Sequence, residues 1–294
     1  MQKNAEFRVS ILQSVSLAYT LDVWAPRTMC NCGSSSVEIE DETIMSDDSQ
    51  TQTIKAILGL RGLVVDGELK AGERVSEAVI VERLGVSRTP ARMALVRMHA
   101  EGLLEHINGA YVVACFTEAD VHDAIQVRGT LEGMAARFAA ERGVSSSMLG
   151  AFDRCLDKLD EVLRGTDESI FDEYAVLNDR FHALLIEAAG SRMLERSIDQ
   201  ITKLPFAAPN AFVHSAHSGD PRGREILLLS QMQHRLIVDL IRQRQGTRAE
   251  ALVIEHSFSA TNFLKFVMEG NAQFGAIAGL SLIQPSGRHY ASRH

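Results

Sequence analysis

Nowhere does the sequence run to the roughly 18 consecutive apolar residues that a membrane-spanning helix needs, so no such helix is expected. Cysteine is scarce. Cys30, Cys32, Cys115 and Cys155 are too few and too scattered for a disulfide framework. Cys30 and Cys32 have no histidine nearby, so no metal is assigned to them, and a reducing cytoplasm suits this usage. Six prolines and 6% aromatic residues disfavour a sandwich or barrel and favour helices. The opening stretch also lacks what a signal peptide needs. Its apolar run is interrupted by Gln13, Ser14 and Ser16, and Glu6 sits where basic residues belong. No internal repeat is found.

Apolar residues, by contrast, are plentiful. At 46% of 294 residues they allow two ordinary domains with buried cores. The net charge of −8 is unevenly spread. Residues 1–50 carry three basic and eight acidic side chains, residues 51–115 eight and seven, and residues 116–294 nineteen and twenty-three. The first 50 residues, rich in Ser, Asp and Glu, read as a disordered extension. Met45 leads straight into the first helical pattern, so residues 1–44 read as an extended start. Residues 51–115 form a second unit, residues 116–270 a third, and residues 271–294 show no period and read as a loosely held tail.

Within residues 51–115, TQTIKAILGLRGLVVDG and SEAVIVERLG have helical patterns, the second stopped by Gly85. A third helix starts at Ser87 as N-cap and stops near Gly102. Two short strands follow around Asn108-Gly109, a hairpin turn pair. Helix, helix, helix, hairpin is the order of a winged helix-turn-helix. Arg88 and Arg92 are four apart and share a face with Thr89, while Leu95 and Met98 point inward. Two arginines and a threonine on the opening turns suit a major groove, where arginine grips guanine and the threonine methyl meets thymine. The motifs DGELKAGERV, GVSRTPARMAL and AEGLLEH, in that order, resemble the winged helix-turn-helix of GntR-family bacterial transcription regulators. The resemblance implies that Arg88, Thr89 and Arg92, with Ser87, contact operator DNA, and that Gly109 lies in the wing. Many relatives carry an arginine at the position held here by Ala78. It also implies a homodimer on a palindromic operator, acting as a repressor.

From Thr117 the chain is helical throughout, with patterns near 118–143, 146–164, 168–189, 191–203, 222–244 and 247–269, and a loop over 204–223. His182, His234 and His256 fall on the inward stripes of three separate helices. One such histidine is ordinarily a hydrogen-bonded core residue; three in a bundle point to a metal site. Asn178, one turn before His182, could add an oxygen, and Asp179 is the alternative. This part is similar to the FCD domain, the effector-binding half of one GntR subfamily. That resemblance implies a mainly helical fold and a divalent metal on Asn178, His182, His234 and His256. Zinc is expected, with nickel or manganese as alternatives. Asn178 stands where many relatives have aspartate, which removes one anionic ligand. A small carboxylate would then complete the ion's coordination and charge, with Arg128 as a second anchor; a salt bridge to Glu132 is the competing role for Arg128. The stretches RGTLEGMAARFAAERG and LPFAAPNAF are similar to the vanillate-repressor-like branch, implying an aromatic acid. His214 and His217 read as solvated. A metal-dependent hydrolase is the alternative for three histidines with an open position, but no His-Glu-x-x-His pair is present and Glu255 is turned off the histidine stripe. Neither a hydrolase nor a structural zinc protein accounts for the winged helix, so no enzyme is expected.

Overall fold

The computed structural model describes residues 47–165, 169–213, 221–266 and 279–284. Residues 1–46 of the segment expected to be a disordered extension, including Cys30 and Cys32, lie outside the described residues, as do His214 and His217. The first helix, α1 (Asp47–Val65), begins four residues before the expected boundary at residue 51.

The N-terminal unit then runs β1 (Arg74–Val75), α2 (Glu77–Leu84), α3 (Arg88–Ala100), β2 (Leu104–Ile107) and β3 (Ala110–Val113). Gly85 ends α2 in the left-handed region at φ 63°, and its N–H donates to the Val81 carbonyl. Ser87 opens α3 as expected, yet its hydroxyl makes no cap hydrogen bond. Asn108 (φ 51°) and Gly109 (φ 78°) both take positive φ, the backbone of a two-residue hairpin turn, and Ile107 pairs Ala110 across it. The antiparallel sheet has the order β1-β3-β2. Two residues of β1 are too short to leave a period in the sequence. Leu60, Ile80, Ala91, Leu95, Met98 and Leu104 make the head's core.

β4 (Phe116–Thr117) leads into α4 (Glu118–Arg142), α5 (Ser146–Val162), α6 (Ser169–Ala189), α7 (Arg192–Thr202), α8 (Pro221–Arg242) and α9 (Gly246–Phe266). Thr117 and Asp120 form a reciprocal capping box, with Thr117 N–H donating to Asp120 at 2.7 Å. Helices α4 and α9 pack closely because α4 presents Gly129 and Gly133. A Cβ on Gly129 would overlap the Ser257 side chain, and one on Gly133 would come within 3.0 Å of the Glu250 carbonyl. This close approach sets the separation of Arg128 and His256, the neighbours of Gly129 and Ser257.

Two segments join head and bundle. The expected loop after α7 contains a buried 3₁₀ turn, Pro205–Ala207, with Phe206 edge-to-face on Phe116 at 4.8 Å. Leu204 packs against both hydrophobic cores. Just before it, Gln200 donates to the Ala100 carbonyl at 2.9 Å and Arg61 to the Lys203 carbonyl at 3.4 Å. The second segment, residues 279–284, lies within the expected tail and is docked; the rest of 271–294 lies outside the described residues. Leu282 is fully buried in the head's core, Gly279 N–H donates to Val65 O at 3.1 Å, and Ile283–Gln284 (β5) pair in parallel with β4. The partners lie more than 160 residues away in sequence, so no local pattern announces the docking. Among the described residues no helix is long and apolar enough to cross a membrane.

Candidate metal and ligand pocket and DNA-binding face

The inward stripes of α6, α8 and α9 bring three imidazoles together. One ring nitrogen from each of His182, His234 and His256 lies within 4.8 Å of the others, and all three rings are buried. The His234 and His256 Nε2 atoms are 3.0 Å apart. Each ring has a polar neighbour at its other nitrogen. His234 Nδ1 faces Gln231 Oε1 at 3.2 Å, and His256 Nδ1 faces Gln233 Oε1 at 3.0 Å. His182 Nδ1 lies 3.2 Å from Glu132 Oε2, without the alignment of a hydrogen bond. An oxygen acceptor at Nδ1 leaves Nε2 free, the arrangement in which histidines serve as metal ligands. Burial lowers the His234 basicity well below its usual value, and burial together with the His182 charge brings His256 down to about 3. Both rings are therefore neutral near pH 7, as a ligand must be. The donor set fits a borderline ion of the zinc type.

A pocket of about 390 Å³, counting its open mouth, adjoins the cluster. Its wall includes His182, His256, Asn178, Arg128, Ser257 and Tyr174, with Phe212 and Phe263 on the apolar side. Asn178 is buried one turn from His182, on the pocket wall. The alternative, Asp179, turns elsewhere and accepts from Asn210 Nδ2 at 2.7 Å. Burial raises the Asp179 carboxyl to about 6 against the pull of His182 and Arg128.

Both roles weighed for Arg128 meet in one position. It lines the pocket and pairs with Glu132, one turn along α4, at 2.8 Å, with both side chains almost wholly buried. Burial alone would raise the Glu132 carboxyl, but the charges of Arg128 and His182 hold it at about 2. Arg128 Nε, Glu132 Oε1 and the Tyr174 hydroxyl remain buried without a well-formed hydrogen bond. Arg128 and Tyr174 line the pocket, and unpaired polar atoms there suit a polar ligand. Glu255 is exposed, as its position off the stripe implied.

On the head, Ser87, Arg88, Thr89 and Arg92 are exposed along α3, and the arginines have no side-chain partner among the described residues. Gly109 is exposed at the hairpin tip, and Ala78 is exposed on α2. Sequence reading passed over Met93 and Val96, which are about half exposed on the same helix and offer methyl contacts. It also passed over Gln231 and Gln233. Gln231 lies three residues before His234, on the same helical face, and that spacing was the available signal.

A winged head with an exposed, basic helix, joined to an all-helical bundle, is the architecture of a transcription regulator. The chain belongs to the GntR/FCD transcription regulators. Residues 52–112 match the bacterial regulatory proteins of the gntR family, and residues 123–258 match the FCD domain. It is 26% identical over 217 residues to the HTH-type transcriptional regulator YdhC of Bacillus subtilis, covering 71% of this chain and 89% of that protein. Identity to the Glc operon transcriptional activator of Escherichia coli is 26% over 211 residues, covering 66% and 81%. Among solved structures, E. coli McbR/YncC shares the fold with a TM-score of 0.51 at 20% identity, over 74% of this chain and 98% of that one. These relatives regulate transcription and are not enzymes, which removes the hydrolase alternative.

Proposed function

We propose that this regulator holds one divalent ion on His182, His234 and His256, with Asn178 as a weaker fourth ligand, and that a small organic acid bound over the ion alters operator binding. The observation that carries this reading is the convergence of three buried imidazoles on one point beside Arg128. When bound, the ion supplies an open coordination position and two positive charges with no carboxylate among its ligands. A carboxylate answers both. Arg128 is positioned to grip its second oxygen, and Phe212 and Phe263 would cover an apolar, aromatic body.

Arg88, Thr89 and Arg92, with Ser87, would read base edges and phosphate, and Gly109 would carry the wing. One helix-turn-helix reads a half-site, so a homodimer on a palindrome is the expected working form. Coupling would run through the segment after α7. Pro209, Phe212 and Val213 stand in the pocket wall, Asn210 is tied to α6, Phe206 and Leu204 pack at the junction, and Gln200 holds the end of α3. The test is operator binding by protein stripped of metal and then reloaded with zinc, titrated with a panel of aromatic and aliphatic acids. An acid-dependent shift present only after reloading is expected; the same shift in stripped protein would refute the metal's part.

A further inference from the structure

Gln231 cannot turn its amide over. Its Nε2 donates to the Leu156 carbonyl at 3.0 Å and to Asp160 Oδ1 at 2.6 Å, and Asp160 is held in turn by Arg235 Nε at 2.9 Å. A half-turn would put the amide oxygen against two acceptors. Its oxygen therefore faces His234 Nδ1 at all times, and that nitrogen must carry the ring proton. The Nε2 of His234 is a permanent lone pair.

Gln233 is placed differently. Its amide oxygen stands 3.0 Å from His256 Nδ1, the orientation that suits the ligand form, and no partner ties down its nitrogen among the described residues. It is free to present oxygen or nitrogen. The 3.0 Å contact between His234 Nε2 and His256 Nε2 supplies the reason to turn. If both rings carried their protons on Nδ1, two lone pairs would face each other in a buried site, each without a donor. With the proton of His256 on Nε2, that contact becomes a hydrogen bond to His234, and Gln233 meets Nδ1 with its N–H.

We infer that Gln231 and Gln233 are unequal positioning residues: Gln231 presets His234 as a ligand, while Gln233 turns over as His256 changes from hydrogen-bond donor to ligand. The step is a tautomer change. His256 loses the proton on Nε2 and gains one on Nδ1 through exchange with solvent, so no net charge is released. The metal part of this inference rests on the reading under Proposed function; the metal-free part does not.

The test is long-range ¹H–¹⁵N spectroscopy of full-length protein labelled in histidine, metal-free and then with one equivalent of zinc. Single His→Ala variants assign the rings. Metal-free protein should show His234 protonated on Nδ1 and His256 on Nε2; zinc should move only the His256 proton, to Nδ1. A His234 proton on Nε2, a His256 proton on Nδ1 before zinc, or an unchanged His256 after saturation each overturns the inference. If zinc does not bind at all, the metal reading falls, and the two metal-free tautomers alone decide whether the pairing stands.

Chelator competition gives a second readout. Gln231→Leu should weaken zinc about 10–100-fold. Gln233→Glu, which can only accept, should fix His256 as the ligand tautomer and tighten zinc. Opposite signs support unequal roles. A loss of equal size in both variants would make the two glutamines mere packing and contradict the inference.

Discussion

Glu132→Gln removes the carboxylate hydrogen-bonded to the buried Arg128 guanidinium, and the effect can be worked from the geometry. At 2.8 Å and an effective dielectric near 20, the pair attracts by about 6 kcal/mol. Burying the two ions costs several kcal/mol each, so the intact pair contributes little net stability. Breaking it is another matter, because Arg128 is only 2% exposed and would lose its hydrogen-bonded anion. A loss of about 3–5 kcal/mol at pH 7 is expected for the single variant. Arg128→Met combined with Glu132→Leu should lose much less than the two single changes together, with a coupling of at least about 2 kcal/mol. Urea unfolding followed by circular dichroism measures all four corners of the cycle. The pH dependence has a definite sign. The Glu132 carboxyl is held at about 2 in the fold against an ordinary 4.5. Its stabilising contribution is therefore complete above about pH 4.5 and is lost as the pH falls toward 2. The gap between wild type and Glu132→Gln should narrow over that window. Additive losses in the cycle, or a Glu132→Gln variant as stable as wild type at pH 7, would refute the account of this pair.

Four further outcomes are expected. Arg88→Ala and Arg92→Ala should each cost about 1–3 kcal/mol in operator affinity, measured by fluorescence anisotropy, with a shallower salt dependence for any residue that meets phosphate. Leu282→Ala should destabilise the head by about 2–5 kcal/mol, seen in thermal melting, because Leu282 is fully buried there. Phe206→Leu should leave zinc uptake intact while reducing the acid-dependent change in operator affinity, expected at about 1–3 kcal/mol in the parent, toward zero. Asn178→Asp should tighten zinc by restoring an anionic ligand, read by chelator competition.

The parts of this molecule that obey short-range rules were legible in the sequence. Helical stripes marked His182, His234 and His256 as inward residues because period is a local property, and all three are buried. Asn108-Gly109 announced its hairpin because few residue pairs tolerate two positive φ values in succession. Thr117 marked the start of the helical part, and in the fold it caps α4. What escaped was set by distant partners. Nothing near Leu282 reveals that it fills a core built from residues 56–113. The Gln231 side chain is pinned by Leu156 and Asp160 on another helix, so its orienting role exists only once α5 and α8 meet. Arg128 and Glu132 were visible as an i, i+4 pair, but their burial follows from α9 closing over Gly129 and Gly133.

The central claim is that three histidines of the helical domain hold one metal ion per chain. The most direct test strips the purified full-length protein with chelator, dialyses it against zinc, and measures bound metal by elemental analysis beside the His182→Ala/His234→Ala/His256→Ala triple variant. One ion per chain in the wild type and none in the variant is the predicted result. Equal zinc in both proteins, or none in the wild type, would contradict it and return these side chains to the role of core histidines.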